Sequence, residues 1–228
     1  MAADVTGILR KTGLFGSVPS KELEAIAAAS RLRTFRRGQV VFTRGDPGDT
    51  LIVVISGSVK VVVRSADGGE LTLAVIQPGG TLGELSVADC GPRSADVETL
   101  QECQLLLIPS QTVRDICARV PSAAHALTSA IAATLRRLTD AASDLVFLDL
   151  PHRVAKVLLN QPRGRDGIIR PALTQEELAH QSAGTRQSVN AVLRGFERRG
   201  WIEARDRAMM IKQPAALARF AGQEAPAR

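Results

Sequence analysis

Tyrosine is absent from this 228-residue chain, tryptophan occurs once, and aromatic residues make up 3% of the total. In so sparse a background the lone Trp201 reads as a packing anchor rather than a base-stacking residue. Three cysteines, Cys90, Cys103 and Cys117, are too few and too scattered for a disulfide framework, and no Cys-x-x-Cys or Cys/His ligand spacing accompanies them. Metal or iron–sulfur chemistry is therefore not expected, and the three distant histidines, His125, His152 and His180, are assigned no role. No run of eighteen apolar residues occurs, and the N-terminus lacks a basic stretch followed by an apolar core and a small-residue cleavage site. A soluble cytoplasmic protein with no membrane partner is expected.

What is present is unevenly distributed. Hydrophobic residues make up 45%, enough for a real core, and the length suits two modest domains. Residues 1–149 carry 15 Lys+Arg against 16 Asp+Glu, whereas residues 150–228 carry 14 against 7, so the net +6 of the chain resides in its C-terminal third. That asymmetry points to a polyanion at that end, nucleic acid or an anionic membrane surface.

The first half reads as short strands. A helix over Ser20–Ser30, with Leu23, Ile26 and Ala27 on one face, precedes β-branched runs at Gln39–Phe42, Thr50–Ser56, Ser58–Arg64, Glu70–Ile76 and Gln104–Ile108. Glycine-bearing turns bound them, which predicts a β-sandwich or jelly-roll barrel. From Val120 the period changes. Leu127, Ile131, Thr134, Leu138, Ala141, Leu145 and Leu148 alternate steps of four and three, a heptad seam that serves either a homodimer or a helix lying on its own barrel. Asp149-Leu150-Pro151 predicts a hinge, with another helix over His152–Asn160. The domains are thus 1–118, a barrel; 119–149, a dimerisation helix and hinge; and 150–228.

The last segment carries a nucleic-acid signature. Thr174-Gln175-Glu176-Glu177 is a capping box opening a helix to about Gln181, Ser182-Ala183-Gly184 makes a turn, and a second helix starts at Thr185 with Val189, Val192, Leu193 and Phe196 on one face. Its other face bears Arg186, Gln187, Asn190 and Arg194. Arg186 suits the two acceptors of guanine, Gln187 or Asn190 suits adenine, and Arg194 suits phosphate. Trp201–Glu203 and Met209–Ile211 read as a hairpin wing whose tip offers Arg205 and Arg207 to phosphates.

Between Gly83 and Ala95 lie Gly83-Glu84-Leu85-Ser86 and Pro92-Arg93-Ser94-Ala95. An Arg fork fits a phosphate and a Glu accepts from ribose hydroxyls, while the plainer reading of the pair is a surface ion pair. As a hydrolytic base Glu84 lacks an accompanying Ser/His/Asp or metal constellation, so an enzyme is not expected.

From Leu14-Phe15 to about Lys212 the chain resembles the cyclic-AMP receptor protein (CRP/FNR) family of bacterial transcription regulators. The resemblance rests on Gly83-Glu84-Leu85 with Pro92-Arg93-Ser94-Ala95, on Gly57-Ser58-Val59, on Phe147-Leu148-Asp149 and on Leu173–Ala179, in that order. It implies an α+β fold: a cyclic-nucleotide-binding-like jelly-roll barrel, a long dimerisation helix and a C-terminal winged helix-turn-helix. It also implies that Arg93 holds a cyclic phosphate, that Ser94 and amides near Gly83 and Leu85 add donors, and that Glu84 accepts from the ribose. Thr139 falls where family members present a hydroxyl to adenine, and Leu138 where many have threonine. Cyclic AMP is the expected effector, with cyclic GMP or no ligand as alternatives. A homodimer on a pseudo-palindromic DNA site, with RNA polymerase as partner, completes the expectation. Gln187 in place of the usual Glu, and Ala191 in place of a frequent Arg, predict a half-site that differs from the family's common one or is read more loosely, and no N-terminal cysteine cluster is present for oxygen sensing.

Overall fold

The computed structural model describes residues 5–161, 168–169, 173–205 and 208–222. They divide into two compact units, one holding the chain up to Gly68 with Thr72–Leu138, the other holding Gly69–Leu71 with the chain from Thr139 onward. No helix among the described residues is long and apolar enough to cross a membrane.

In the first unit, α1 (Val5–Arg10) and α2 (Ser20–Ala29) lead into β1 (Arg31–Phe35), β2 (Val40–Phe42), β3 (Thr50–Ser56), β4 (Val59–Arg64), β5 (Glu70–Ile76) and β6 (Thr81–Leu82). A short α3 (Glu84–Asp89) is followed by β7 (Asp96–Thr99), β8 (Cys103–Pro109), α4 (Ser110–Arg119) and the long α5 (Pro121–Phe147), whose residues from Thr139 on belong to the second unit. The strands form two four-stranded sheets, ordered β1-β8-β3-β6 and β2-β7-β4-β5.

The continuous apolar run of β3 follows from cover on both faces. Ile52 and Val54 join Phe35, Val59, Val97 and Leu105 in the core between the sheets. Leu51 and Val53 point the other way, into a second core with Leu23 and Ile26 of α2 and Val113 and Ile116 of α4. The predicted β3 and β5 coincide with the observed strands, β2 and β4 differ by a residue at one end, and β8 is longer by a residue at each end. Strands β1, β6 and β7 and helices α1, α3 and α4 were not among the expectations.

The heptad helix begins with proline in its first turn, where the missing amide hydrogen has no intrahelical use. Its seam has two fates. Leu127 is buried and Ile131 packs beside it against the α2/α4 core, while Leu138 and Leu145 are exposed together with Leu135 and Val146. Leu148 lies past the helix end at Phe147.

In the second unit, α6 (Leu150–Leu159), β9 (Ile168–Ile169), α7 (Gln175–Ser182), α8 (Arg186–Arg198), β10 (Ile202–Arg205), β11 (Ala208–Ile211) and α9 (Pro214–Phe220) surround one core built on Leu158, Leu178, Val189, Phe196 and Ile211. The strand order is β10-β11-β9. The predicted break at Asp149–Pro151 is present, since α5 ends at Phe147 and a new helix starts at Leu150. Asp149 caps α6, accepting from the His152 amide at 3.1 Å and from its Nδ1 at 2.5 Å, and Pro151 sits in the first turn. These bonds to His152 hold the Asp149 carboxyl below its ordinary pKa. Trp201 packs as expected, 5.6 Å from Phe196 and 5.3 Å from Phe220 between ring centroids.

Candidate functional site

Arg93 is the centre of the first unit's site. Its side chain is 4% exposed, and burial pushes its pKa down against the opposing pull of the Asp49, Asp46 and Glu84 carboxylates. Its backbone is threaded into the loop before β3, with Arg93 N donating to Asp46 O and Gly45 N donating to Arg93 O, both at 2.9 Å. Nη2 donates to the Thr50 carbonyl at 2.7 Å and to its hydroxyl at 2.9 Å. The guanidinium carbon lies 4.2 Å from the centre of the Phe42 ring. Nε and Nη1 are buried and have no hydrogen-bond partner. A buried unsatisfied donor costs about 1–3 kcal/mol, and more when charged, so two on one cation mark a place for an acceptor.

Opposite them the chain turns from β6 into α3 through Gly83, at φ +89. A Cβ there would stand 2.2 Å from Arg93 Nη1. Glycine is needed twice over, for the left-handed backbone and for the approach of the guanidinium. Glu84 accepts from the Thr81 hydroxyl at 2.9 Å. It and Leu85 stand in the first turn of α3, where amides have no intrahelical acceptor. The pair is thus not an exposed ion pair, because Arg93 is buried and each partner is held by a threonine.

These groups line a cavity of about 240 Å³ in the first unit. Of the expected ligand residues it brings together Gly83, Glu84, Leu85, Arg93, Ser94 and Leu138; Thr139 is not in the lining. Barrel side chains such as Val61, Leu73 and Val97 give the cavity an apolar wall. Thr134 and Arg137 also line it, and Arg137 Nη2 donates to Thr134 Oγ1 at 2.9 Å. Neither was singled out as a site residue. The signal for Thr134 lay in the heptad, as a polar interruption four residues before Leu138. Thr50 and Phe42 were also missed, being 43 and 51 positions from Arg93 in the chain.

In the second unit the expected capping box is present, with Glu177 N donating to Thr174 Oγ1 at 3.1 Å and Thr174 N to Glu177 Oε2 at 2.7 Å. The expected turn through Ser182-Ala183-Gly184 to α8 is present, and its left-handed residue is Ala183, at φ +50. Gly184 is small for another reason: a Cβ there would lie 2.6 Å from Leu150 Cδ1. Thr185 caps α8 by accepting from Ser188 N at 3.1 Å. Val189, Leu193 and Phe196 anchor α8 in the core, which leaves Arg186, Gln187 and Arg194 exposed and Asn190 half-buried. Arg205 ends β10, its side chain outside the described residues, and Arg207 lies outside them altogether. Among the described residues no cluster of three His, Cys, Asp or Glu is placed to hold a metal.

Known proteins place both units. Residues 32–120 match the cyclic nucleotide-binding domain, and residues 152–220 match the Crp-like helix-turn-helix domain. A CRP-like cAMP-activated global transcriptional regulator of Mycobacterium tuberculosis is 36% identical over 220 residues, covering 94% of this chain and 98% of the relative. Among solved structures, the c-di-GMP responsive global regulator CLP of Xanthomonas campestris is 25% identical with a TM-score of 0.73, covering 85% of this chain and 99% of its own. A CRP-family transcriptional regulator of Thermus thermophilus is 27% identical with a TM-score of 0.71, covering 86% and 100%. A nucleotide-binding barrel, a long helix and a helix-turn-helix follow one another in the order of these relatives, so this chain belongs to the CRP family of cyclic-nucleotide-responsive, DNA-binding transcription regulators, which are not enzymes.

Proposed function

We propose that this protein is a homodimeric, sequence-specific transcription regulator whose affinity for DNA is set by a cyclic nucleotide, cyclic AMP first among the candidates. The two unpartnered donors of buried Arg93, in a cavity shared with Glu84, carry this reading. A cyclic phosphate supplies the missing acceptors in the bidentate geometry a guanidinium prefers. Ser94 and the first-turn amides of α3 add donors to the same anion, Glu84 takes a ribose hydroxyl, and the apolar wall receives the base beside Leu138. The relative named as cAMP-activated supports cyclic AMP. Leu138 favours a second reading, in which another effector or none acts, since a leucine offers the base no hydrogen bond; the Xanthomonas relative is named for a different nucleotide.

The exposed apolar residues of α5, Leu135, Leu145 and Val146, support the homodimer, with Thr139 reaching the partner's nucleotide. Two α8 helices then read half-sites of a pseudo-palindrome through Arg186, Gln187 and Asn190, with Arg194, Arg205 and Arg207 on phosphates. Contact with RNA polymerase belongs to the same proposal. Calorimetric titration of the purified protein with cyclic AMP and cyclic GMP, followed by DNA binding with and without each, tests it. Tighter DNA binding with cyclic AMP is the expected result, and binding indifferent to both nucleotides selects the second reading.

A further inference from the structure

We propose that Arg153 is a positioning residue that locks the end of α5 to the turn before the reading helix, so that the two move as one body. The side chain, on the first turn of α6, reaches three backbone carbonyls with three different nitrogens. Nη1 donates to Leu148 O at 2.6 Å, Nε to Ser182 O at 2.8 Å and Nη2 to Ala183 O at 3.2 Å. Leu148 immediately follows α5, and Ser182 and Ala183 end α7. Two helix C-termini, each with orphan carbonyls and a negative dipole end, therefore converge on one guanidinium. A planar fork with fixed donor directions serves three such acceptors; an ammonium on a flexible stem does not hold them in one geometry.

Independent contacts bind the same three segments. The turn abuts α6, since a Cβ on Gly184 would come within 2.6 Å of Leu150 Cδ1. Ala183 holds a left-handed conformation at φ +50, which costs a non-glycine residue energy and persists where surrounding contacts over-determine it. Lys156 Nζ, one turn further along α6, meets Asp144 Oδ1 of α5 at 2.6 Å. The residue after Gly184 is Thr185, the cap of α8. A shift of the last turns of α5 is thus handed through Arg153 to the start of the helix that carries Arg186 and Gln187. The regulatory consequence rests on the ligand-linked reading above; the lock itself does not.

The test uses the purified full-length protein and two variants. Arg153→Lys keeps the cation and gives up the fork, and Leu150→Ala opens space beside Gly184. Amide hydrogen exchange is followed in residues 145–149 and 182–186, and DNA affinity is measured with and without cyclic AMP. In Arg153→Lys both segments are expected to exchange faster together, by about tenfold, as expected for lost hydrogen bonds to a charged group. The ratio of DNA affinities with and without cyclic AMP is expected to fall by about fivefold, while cyclic AMP binding to the DNA-free protein changes less than twofold. Leu150→Ala is expected to move both segments in the same direction by less. Faster exchange in one segment alone or in neither overturns the lock, as does an equal loss of DNA affinity with and without nucleotide. A wild-type protein indifferent to cyclic AMP contradicts the regulatory reading instead, and the exchange data then decide the lock alone.

Discussion

Arg93, buried in the barrel, and Arg153, half-buried in the winged unit, both turn a guanidinium toward backbone carbonyls, and the two units treat it in opposite ways. Arg153 places three of its nitrogens on carbonyls supplied by the chain itself. Arg93 places one on Thr50 and leaves Nε and Nη1 buried without partners. Satisfied, the cation is part of the fold; half satisfied, it is a demand that the fold does not meet. The difference separates the proposed joint from the proposed nucleotide site without reference to any relative, and it sorts what each residue is expected to do when removed.

Removing Arg93 gives the largest effect. Arg93→Ala is expected to weaken cyclic nucleotide binding by at least about a hundredfold, because charge-assisted bidentate bonds are the strong ones, while the unliganded protein keeps most of its stability once the orphan donors are gone. Calorimetry and thermal unfolding check both halves. Wild-type protein at a hundred times its dissociation constant is expected to gain about 2.7 kcal/mol from the nucleotide, and the variant none at that concentration. Unchanged affinity in the variant breaks the comparison.

Gly83→Ala comes next. Its Cβ meets both an unfavourable φ and Arg93 Nη1, so we expect a stability loss of about 1–3 kcal/mol together with weaker nucleotide binding, read by denaturant unfolding and titration. On the DNA side, Arg186→Ala is expected to cost about 1–3 kcal/mol at one guanine of each half-site, whereas Arg194→Ala weakens all sequences alike and lowers the salt slope by about 1. Binding-site selection at two salt concentrations separates them.

The smallest effect falls at the joint. Asp149 has its pKa lowered in the folded protein, first by the hydrogen bond from the His152 side chain, so its contribution is present above the ordinary value of 3.8 and is lost as pH falls through the depressed folded value. Asp149→Asn is therefore expected to flatten the acid limb of the stability curve below about pH 4. Being largely exposed, the group moves it only slightly. Chemical unfolding at a series of acid pH values measures the difference.

What was legible in the sequence follows the same divide between local and distant causes. Strand β3 was legible because both its faces are covered and its apolar run is unbroken. Strand β1, Arg-Leu-Arg-Thr-Phe, was not, because it lies at a sheet edge with four of its five residues exposed and reads as polar chain. Strand β7, Asp-Val-Glu-Thr, buries only alternate residues over four positions, too short for a period to register. Helix α7 declared itself through a capping box, whereas α3 and α9, at six and seven residues, span two turns or fewer and have no side-chain cap. In the site, Glu84 and Arg93 were found because ten residues hold both. The loop and strands that seat Arg93 enter through pairings 43 to 51 residues away, which no local pattern records.

Gly48 shows how far that dependence runs. A Cβ at this position would come within 2.2 Å of Ser86 Cβ and 2.4 Å of the Gly91 carbonyl, so the 45–50 loop is pressed against α3 and the turn beyond it. Gly45 and Asp46 of the same loop hold the backbone of Arg93, and Thr50 just beyond holds its side chain. The candidate binding segment is consequently not a transplantable cassette. Residues 83–95 moved alone into a foreign barrel would arrive without the surface that shapes them, and a working graft must carry residues 45–50 with their missing methyl group.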